Sequence, residues 1–237
     1  MKSILLPIFA GLATTLGAHP REFRPARFAD DDTTLHAAET ERVGRVVLVH
    51  GFLETGSNFR MLRQRLQKRG FDCLVPRLRP CDGRGGLDLL AAVLKQDIEE
   101  HFGTEQPLSL VGFSMGGIVG RHYLQNLDGA ERCRGFITIS SPHQGTQAAW
   151  LYPTKGARQM RPGSDFLADL ARTESQLGDM PVTSYRTPFD LIIVPAGNSH
   201  WQRAENLSFP VALHPLMLNS RKVLDDIERR LLAHSKP

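Results

Sequence analysis

Two stretches, "RVVLVHGF" (45–52) and "LSLVGFS" (108–114), are continuously apolar and rich in β-branched residues until they reach a glycine or a serine. A strand wetted on one face alternates polar with apolar positions, so runs like these belong to strands buried on both faces, as in a parallel sheet covered by helices. Helical spacing separates them. Ser57 stands as a helix cap before Phe59, Leu62 and Leu66, which share a face up to Gly70; "FDCLVPRL" then gives a second strand, and "LDLLAAVLKQDIEEHF" (87–102) a helix. From Met115 to Leu127 the pattern is helical again, and "RGFITISSP" (134–142) is another strand. Alternation of this kind implies right-handed crossovers, hence an α/β fold with a mostly parallel central sheet and helices on both faces. After an irregular insert, at about 146–179, further extended segments are predicted at 181–185, 190–196 and 207–213. A closing helix follows, with Ser220 as cap and Val223, Leu224, Ile227 and Leu231 on one face.

Residues 45–237 read as one domain. Residues 1–18 have one early lysine and an uncharged stretch ending near the small residues Thr15, Gly17 and Ala18, the pattern of a short secretory signal. Export to the periplasm or medium is the expectation; an apolar amino-terminal helix that stays attached to a cytoplasmic protein is the alternative. Residues 19–44 form a polar, Pro-containing leader. The net charge of +4 comes from scattered basic residues, so no nucleic-acid partner is expected. Three cysteines leave at least one unpaired, and Cys73 and Cys133 sit in apolar strand runs where free thiols pack the core rather than act as nucleophiles. No His/Cys/Asp cluster has metal-ligand spacing, so neither metal nor other cofactor is expected.

The chemistry-bearing segment is "LVGFSMGGIVG" (110–120). A serine hydroxyl is a weak nucleophile unless a base takes its proton and the backbone presents the oxygen clear of its neighbours. Gly112-Phe113-Ser114-Met115-Gly116 meets the second condition: in a sharp strand-to-helix turn, side chains two residues before or after the serine would crowd the bend, and glycine relieves that. A bare G-x-S-x-G is a common coincidence; here it ends a strand and opens a helix. The oxyanion of acyl transfer needs two amide donors, and Met115 N–H just after the serine and Phe52 N–H just after His50-Gly51 stand in the positions for them. His50 is expected to brace this loop rather than act as base.

"VVLVHGF", "LVGFSMGG" and "ISSPHQGT", in this order, resemble the α/β-hydrolases, and more narrowly the small bacterial triacylglycerol lipases and esterases. The resemblance is clear over 45–145 and looser beyond. It implies the order serine, acid, histidine, no cofactor, and an acyl-enzyme route; serine in place of Asp or Cys disfavours the dehalogenase, epoxide-hydrolase and dienelactone-hydrolase variants. Catalytic loops leave the carboxyl ends of strands. His122 lies inside a helix, His143 comes too early in the implied order, His200 lies in an inter-strand loop and His234 in the tail; the resemblance places the base at His214, directly after "LSFPVAL" and before the last helix. Asp190 fits the acid if 181–185 is the penultimate core strand, with Glu205 as the alternative.

The insert carries Trp150, Leu151, Tyr152, Met160, Phe166, Leu167 and Leu170. Trp150 and Phe166 are candidate substrate contacts in a small cap; the alternative is that these residues pack a surface helix capped by Ser164. The expected function is a carboxylic-ester hydrolase acting on a small-molecule or lipid ester, with transient contact with a lipid surface. An acyltransferase or thioesterase using the same triad, or a hydrolase-like binding module, are the alternatives. Chain-length preference and oligomeric state are not written in the sequence.

Overall fold

In the computed structural model, which describes residues 42–235, the first strand, β1 (Gly44–Val49), has Val46, Val47, Leu48 and Val49 all fully buried. Its side chains divide between two cores. Val47 and Val49 join the cluster on one face, and Val46 and Leu48 the cluster on the other. That is why the run shows no alternation. Each fully buried Val or Leu contributes about 1.5–3 kcal/mol relative to exposure. The signal-like segment and residues 19–41 of the leader lie outside the described residues.

The other strands are β2 (Phe71–Leu74), β3 (Leu108–Phe113), β4 (Cys133–Ile139), β5 (Val182–Arg186) and β6 (Glu205–Ser208). All neighbouring pairs are parallel, in the order β2-β1-β3-β4-β5-β6. The helices α1 (Arg60–Lys68), α2 (Leu87–Phe102), α3 (Met115–Asn126) and α6 (Arg221–His234) cover the two faces. Leu90, Leu94 and Ile98 of α2 and Ile118 and Val119 of α3 pack on the Val47 side. Leu62 and Leu66 of α1 and Val223, Leu224, Ile227 and Leu231 of α6 pack on the Val46 side. From β1 the chain steps one way to β2, then crosses back past β1 to β3 and continues that way through β4 and β5 to β6. A sheet of this topology opens a crevice where the winding reverses, outside the carboxyl ends of β1 and β3.

Between β4 and β5 the insert contains a 3-10 turn (Gln147–Leu151), α4 (Lys155–Gln159) and α5 (Asp165–Arg172). Ser164 caps α5 as expected, its Oγ accepting from Leu167 N at 3.3 Å.

Several sequence expectations require correction. Residues 190–196 form no strand: Asp190 Oδ1 accepts from the amides of both Ile192 and Ile193 at 2.9 Å, folding the chain into a turn that competes with sheet pairing. The last strand is Glu205–Ser208 rather than 207–213, since Pro210 has no N–H to extend the ladder. Ser57 opens a 3-10 turn and caps nothing, and Ser220 occupies the cap position of α6 without a side-chain bond. His234 ends α6 and lies over Gly135 rather than in a loose tail.

Candidate active site

Ser114 stands at the end of β3 with φ 53° and ψ −123°, a backbone state that costs a non-glycine residue about 1–3 kcal/mol. The bend is held from both sides. Ser114 N donates to Ile139 O of β4 at 2.8 Å, and Ser114 O accepts from Gly117 N at 3.1 Å. The flanking glycines are required by close approach. A Cβ on Gly112 would lie 2.5 Å from Gly117 Cα, and one on Gly116 would lie 2.1 Å from Val49 O. The first turn of α3 thus rests directly on the backbone of β1 and β3.

The loop after β1 is pinned by side chains. Gly51 N donates to Glu54 Oε2 at 2.8 Å, and His50 Nδ1 donates to Gly51 O at 3.0 Å. Leu53 N donates to Cys81 O at 2.9 Å. Between these bonds lies the Phe52 amide. The Met115 amide opens α3, where a helix leaves its N–H groups without intrahelical acceptors. The Phe52 ring packs edge-on against Tyr152, with centroids 4.9 Å apart.

The structure brings Asp190 and His214 together. His214 Nδ1 donates to Asp190 Oδ2 at 2.8 Å and Oδ1 at 3.0 Å, and both residues are buried. Asp190 follows β5 and His214 follows β6, each at the carboxyl end of its strand. Because Nδ1 carries the proton shared with the carboxylate, Nε2 is left as the lone-pair nitrogen. The imidazole lies beside the ring of Phe113, the residue before Ser114, with centroids 4.8 Å apart. Burial pushes the Asp190 carboxyl up, but the His214 hydrogen bond and charge and the amides of Ile193 and Ile192 outweigh it, so the group is held below the ordinary carboxylate range. Glu205, the alternative acid, opens β6 at its amino end and is bonded to Arg230 at 2.6 and 2.8 Å.

Two parts of this site were not read from the sequence. Glu54, which locks Gly51, falls in a loop where no periodicity marks it. The segment "HQGT" (143–146) acts as a clamp on the loop that carries Asp190. Thr146 Oγ1 donates to Ile192 O and accepts from Val194 N, Gln147 N donates to Val194 O, and Gln144 N donates to Asn198 O. His143 itself is buried, stacked on Trp201 at 4.6 Å and bonded through Nε2 to Thr138 Oγ1 at 3.0 Å. Burial, then the nearby Arg121 charge, pushes it well below the ordinary histidine value, so it stays neutral. Burial likewise raises the Cys73 and Cys133 thiols to about 12, which leaves them poor nucleophiles; all three cysteines are free.

The insert divides in two. α5 is anchored to α3: Leu167 and Leu170 are buried, Arg121 Nη2 and Gln125 Nε2 both donate to Leu170 O, and Phe166 stacks on His122 at 5.1 Å. Trp150 is instead 63% exposed beneath the Arg161 guanidinium, and Leu151 is 80% exposed.

The family model described as alpha/beta hydrolase fold matches residues 44–191. No curated protein matches the chain in sequence. Among solved structures, the mature form of Bacillus licheniformis lipase BlEst2 superposes with a TM-score of 0.65 at 17% identity, covering 81% of this chain and 93% of that one. The Paleococcus ferrophilus monoacylglycerol lipase gives 0.60 at 16% identity, covering 81% and 95%. The RedJ thioesterase from the prodiginine biosynthetic pathway of Streptomyces coelicolor gives 0.55 at 20% identity, covering 82% and 86%. At these identities the likeness is one of fold, and it agrees with the six-stranded parallel sheet and its helical layers. With the family model spanning the sheet from β1 to the turn at Asp190, the chain belongs to the α/β-hydrolase fold family.

Proposed function

We propose that the protein is a serine hydrolase of carboxylic esters, with Ser114 as nucleophile, His214 as base and Asp190 as its orienting acid. The observation that carries this reading is the buried Asp190–His214 pair, bonded through Nδ1 and set beside the strained bend that carries Ser114. His214 Nε2 accepts the Ser114 proton as Oγ attacks the ester carbonyl. Asp190 fixes the tautomer and stabilises the imidazolium that forms. The amides of Phe52 and Met115 donate to the oxyanion, a contribution worth about 3–4 kcal/mol per donor in comparable sites. His214 then protonates the departing alkoxide, and water, deprotonated by the same imidazole, releases the acid.

A lipid-like acyl group suits the surroundings. Leu53, Trp150, Leu151, Leu191, Ile192 and Leu213 are exposed on segments that follow the carboxyl ends of four strands, the end of the sheet that carries Ser114. Such a rim favours an apolar acyl chain and transient contact with a lipid surface. Two solved relatives in fold are named as lipases and one as a thioesterase. The test is a nitrophenyl-ester chain-length series run on wild type and Ser114→Ala, with acyl thioesters and alcohol acceptors alongside. The proposal expects ester turnover that falls by at least about 10³-fold in the variant. Retention of wild-type turnover by Ser114→Ala would overturn it.

A further inference from the structure

Resting on the ester-hydrolase reading and deepening it, we propose that a basic groove beside Ser114 binds a phosphate group carried by the leaving group of the acyl substrate. Two adjoining cavities define the groove. The inner one, about 150 Å³, is lined by His50, Glu54, Thr55, Arg77, Arg79 and Cys81 among others. The outer one, about 510 Å³, shares Thr55 and Arg77 with it and adds Arg60 and Arg63 of α1. None of the four arginines forms an ion pair among the described residues, whereas on neighbouring elements Arg65 and Arg69 meet Glu228, Arg84 meets Asp82, and Arg229 and Arg230 meet Asp226. Four like charges left facing one groove without carboxylate partners are the arrangement that an anion completes.

Two carboxylates border the groove, and both are engaged by backbone. Glu54 accepts from Gly51 N, and Asp97 Oδ2 accepts from Arg77 N at 3.0 Å. Position ties the groove to the chemistry. A Cβ on Gly51 would lie 2.9 Å from Glu54 Oε2 and 3.2 Å from Ser114 Cβ, so a single glycine separates the groove's inner end from the nucleophile.

The sheet order places the groove on the β2–β1 side of Ser114 and the apolar loops of the insert, Asp190 and His214 on the β4–β6 side. An acyl chain directed to the apolar side leaves the other half of the ester facing the arginines. In the reaction the acyl carbon–oxygen or carbon–sulfur bond breaks, His214 protonates the departing atom, and no bond to phosphorus changes. The phosphate supplies binding and orientation alone. It can belong to a phospholipid headgroup or to a soluble phosphorylated carrier of the acyl group.

Matched substrate pairs distinguish these sources: a monoacylglycerol against its phosphate monoester, and an acyl pantetheine against the acyl phosphopantetheine. We expect kcat/KM for the phosphorylated member of at least one pair to exceed its neutral partner by about tenfold or more, the size of one charge-assisted contact. The ratio should fall toward one in Arg77→Gln/Arg79→Gln and shrink as salt rises, while Arg172→Gln, an exposed charge on α5, leaves it unchanged. The first pair responding identifies a lipid headgroup, the second a soluble carrier. Pyrophosphate binding to Ser114→Ala, read as a thermal shift that Arg77→Gln/Arg79→Gln abolishes, tests the groove without turnover. Neutral esters hydrolysed normally with a ratio near one in both pairs would overturn the phosphate site and leave the hydrolase reading intact. Absence of turnover on every substrate, with the pyrophosphate shift present, would overturn the hydrolase reading and leave the groove as an anion site.

Discussion

Replacing Gly116 by alanine adds one carbon where α3 meets the backbone at the end of β1. Its Cβ would lie 2.1 Å from Val49 O, 2.6 Å from His50 O and 2.7 Å from Val49 C. Carbon and oxygen atoms in close contact ordinarily stay about 3.3–3.6 Å apart, so the end of β1 or the first turn of α3 must retreat by about 1 Å. Neither yields easily: β1 is paired on both edges, and α3 is packed through Ile118 and Val119. Overpacking of this kind costs about 1–3 kcal/mol. Activity should suffer more than stability, because the displaced His50 carbonyl lies two residues before the Phe52 amide, and a misplacement of about 1 Å costs about 100-fold in rate. Urea unfolding and nitrophenyl-ester kinetics on the same preparation measure both, with a fall in kcat of about 100-fold or more and a smaller change in KM. Gly197→Ala is the control, since its Cβ meets open space, and it should stay within about 0.5 kcal/mol of wild type. A folded Gly116→Ala with unchanged stability and turnover would refute the reasoning.

Asp190→Asn keeps the shape of the buried pair and removes its charge, so kcat should fall by about 10³–10⁴-fold with the fold retained, as read by steady-state kinetics and circular dichroism. Glu54→Ala leaves Gly51 N without its acceptor and loosens the oxyanion loop; kcat should drop about tenfold, and Glu54→Gln, which keeps an acceptor, should restore most of it. Burial raises the Asp226 carboxyl, but Tyr185, Arg230 and Arg229 outweigh it and bring it down to about 2. A depressed carboxyl adds stability that is complete above its ordinary value of 3.8 and is lost as pH falls toward about 2; urea unfolding from pH 5 to 2 should therefore show a steeper loss in wild type than in Asp226→Asn.

The parallel sheet was legible because strands buried on both faces cannot hide their composition: Val46 to Val49 serve two cores and read as one apolar run. The bend at Ser114 was legible for the same kind of reason, since Gly112 and Gly116 answer to backbone atoms within 3 Å. Segment 190–196 misled because its apolar run, with Leu191 and Ile192 exposed and Ile193 buried, folds into a turn that one aspartate side chain organises, a contact that hydrophobic periodicity does not register. Asp190 and His214 were placed by their position after strands, and the structure bonds them although 24 residues separate them. The basic groove stayed invisible for another reason. Arg60 and Arg63 lie on α1 while Arg77 and Arg79 follow β2, so in sequence they look like scattered surface charge, and only the packing of α1 beside β2 gathers them. Glu54 and the Thr146 clamp are likewise tertiary facts, each depending on where two loops meet.

The central claim, a nucleophilic hydroxyl at Ser114 activated by His214, is tested most directly by intact-mass spectrometry after treatment with a fluorophosphonate, followed by peptide mapping. One adduct should form, on the peptide containing Ser114, absent in Ser114→Ala and slowed by orders of magnitude in His214→Ala. An unmodified Ser114, or an adduct that forms as fast without the imidazole, would contradict it.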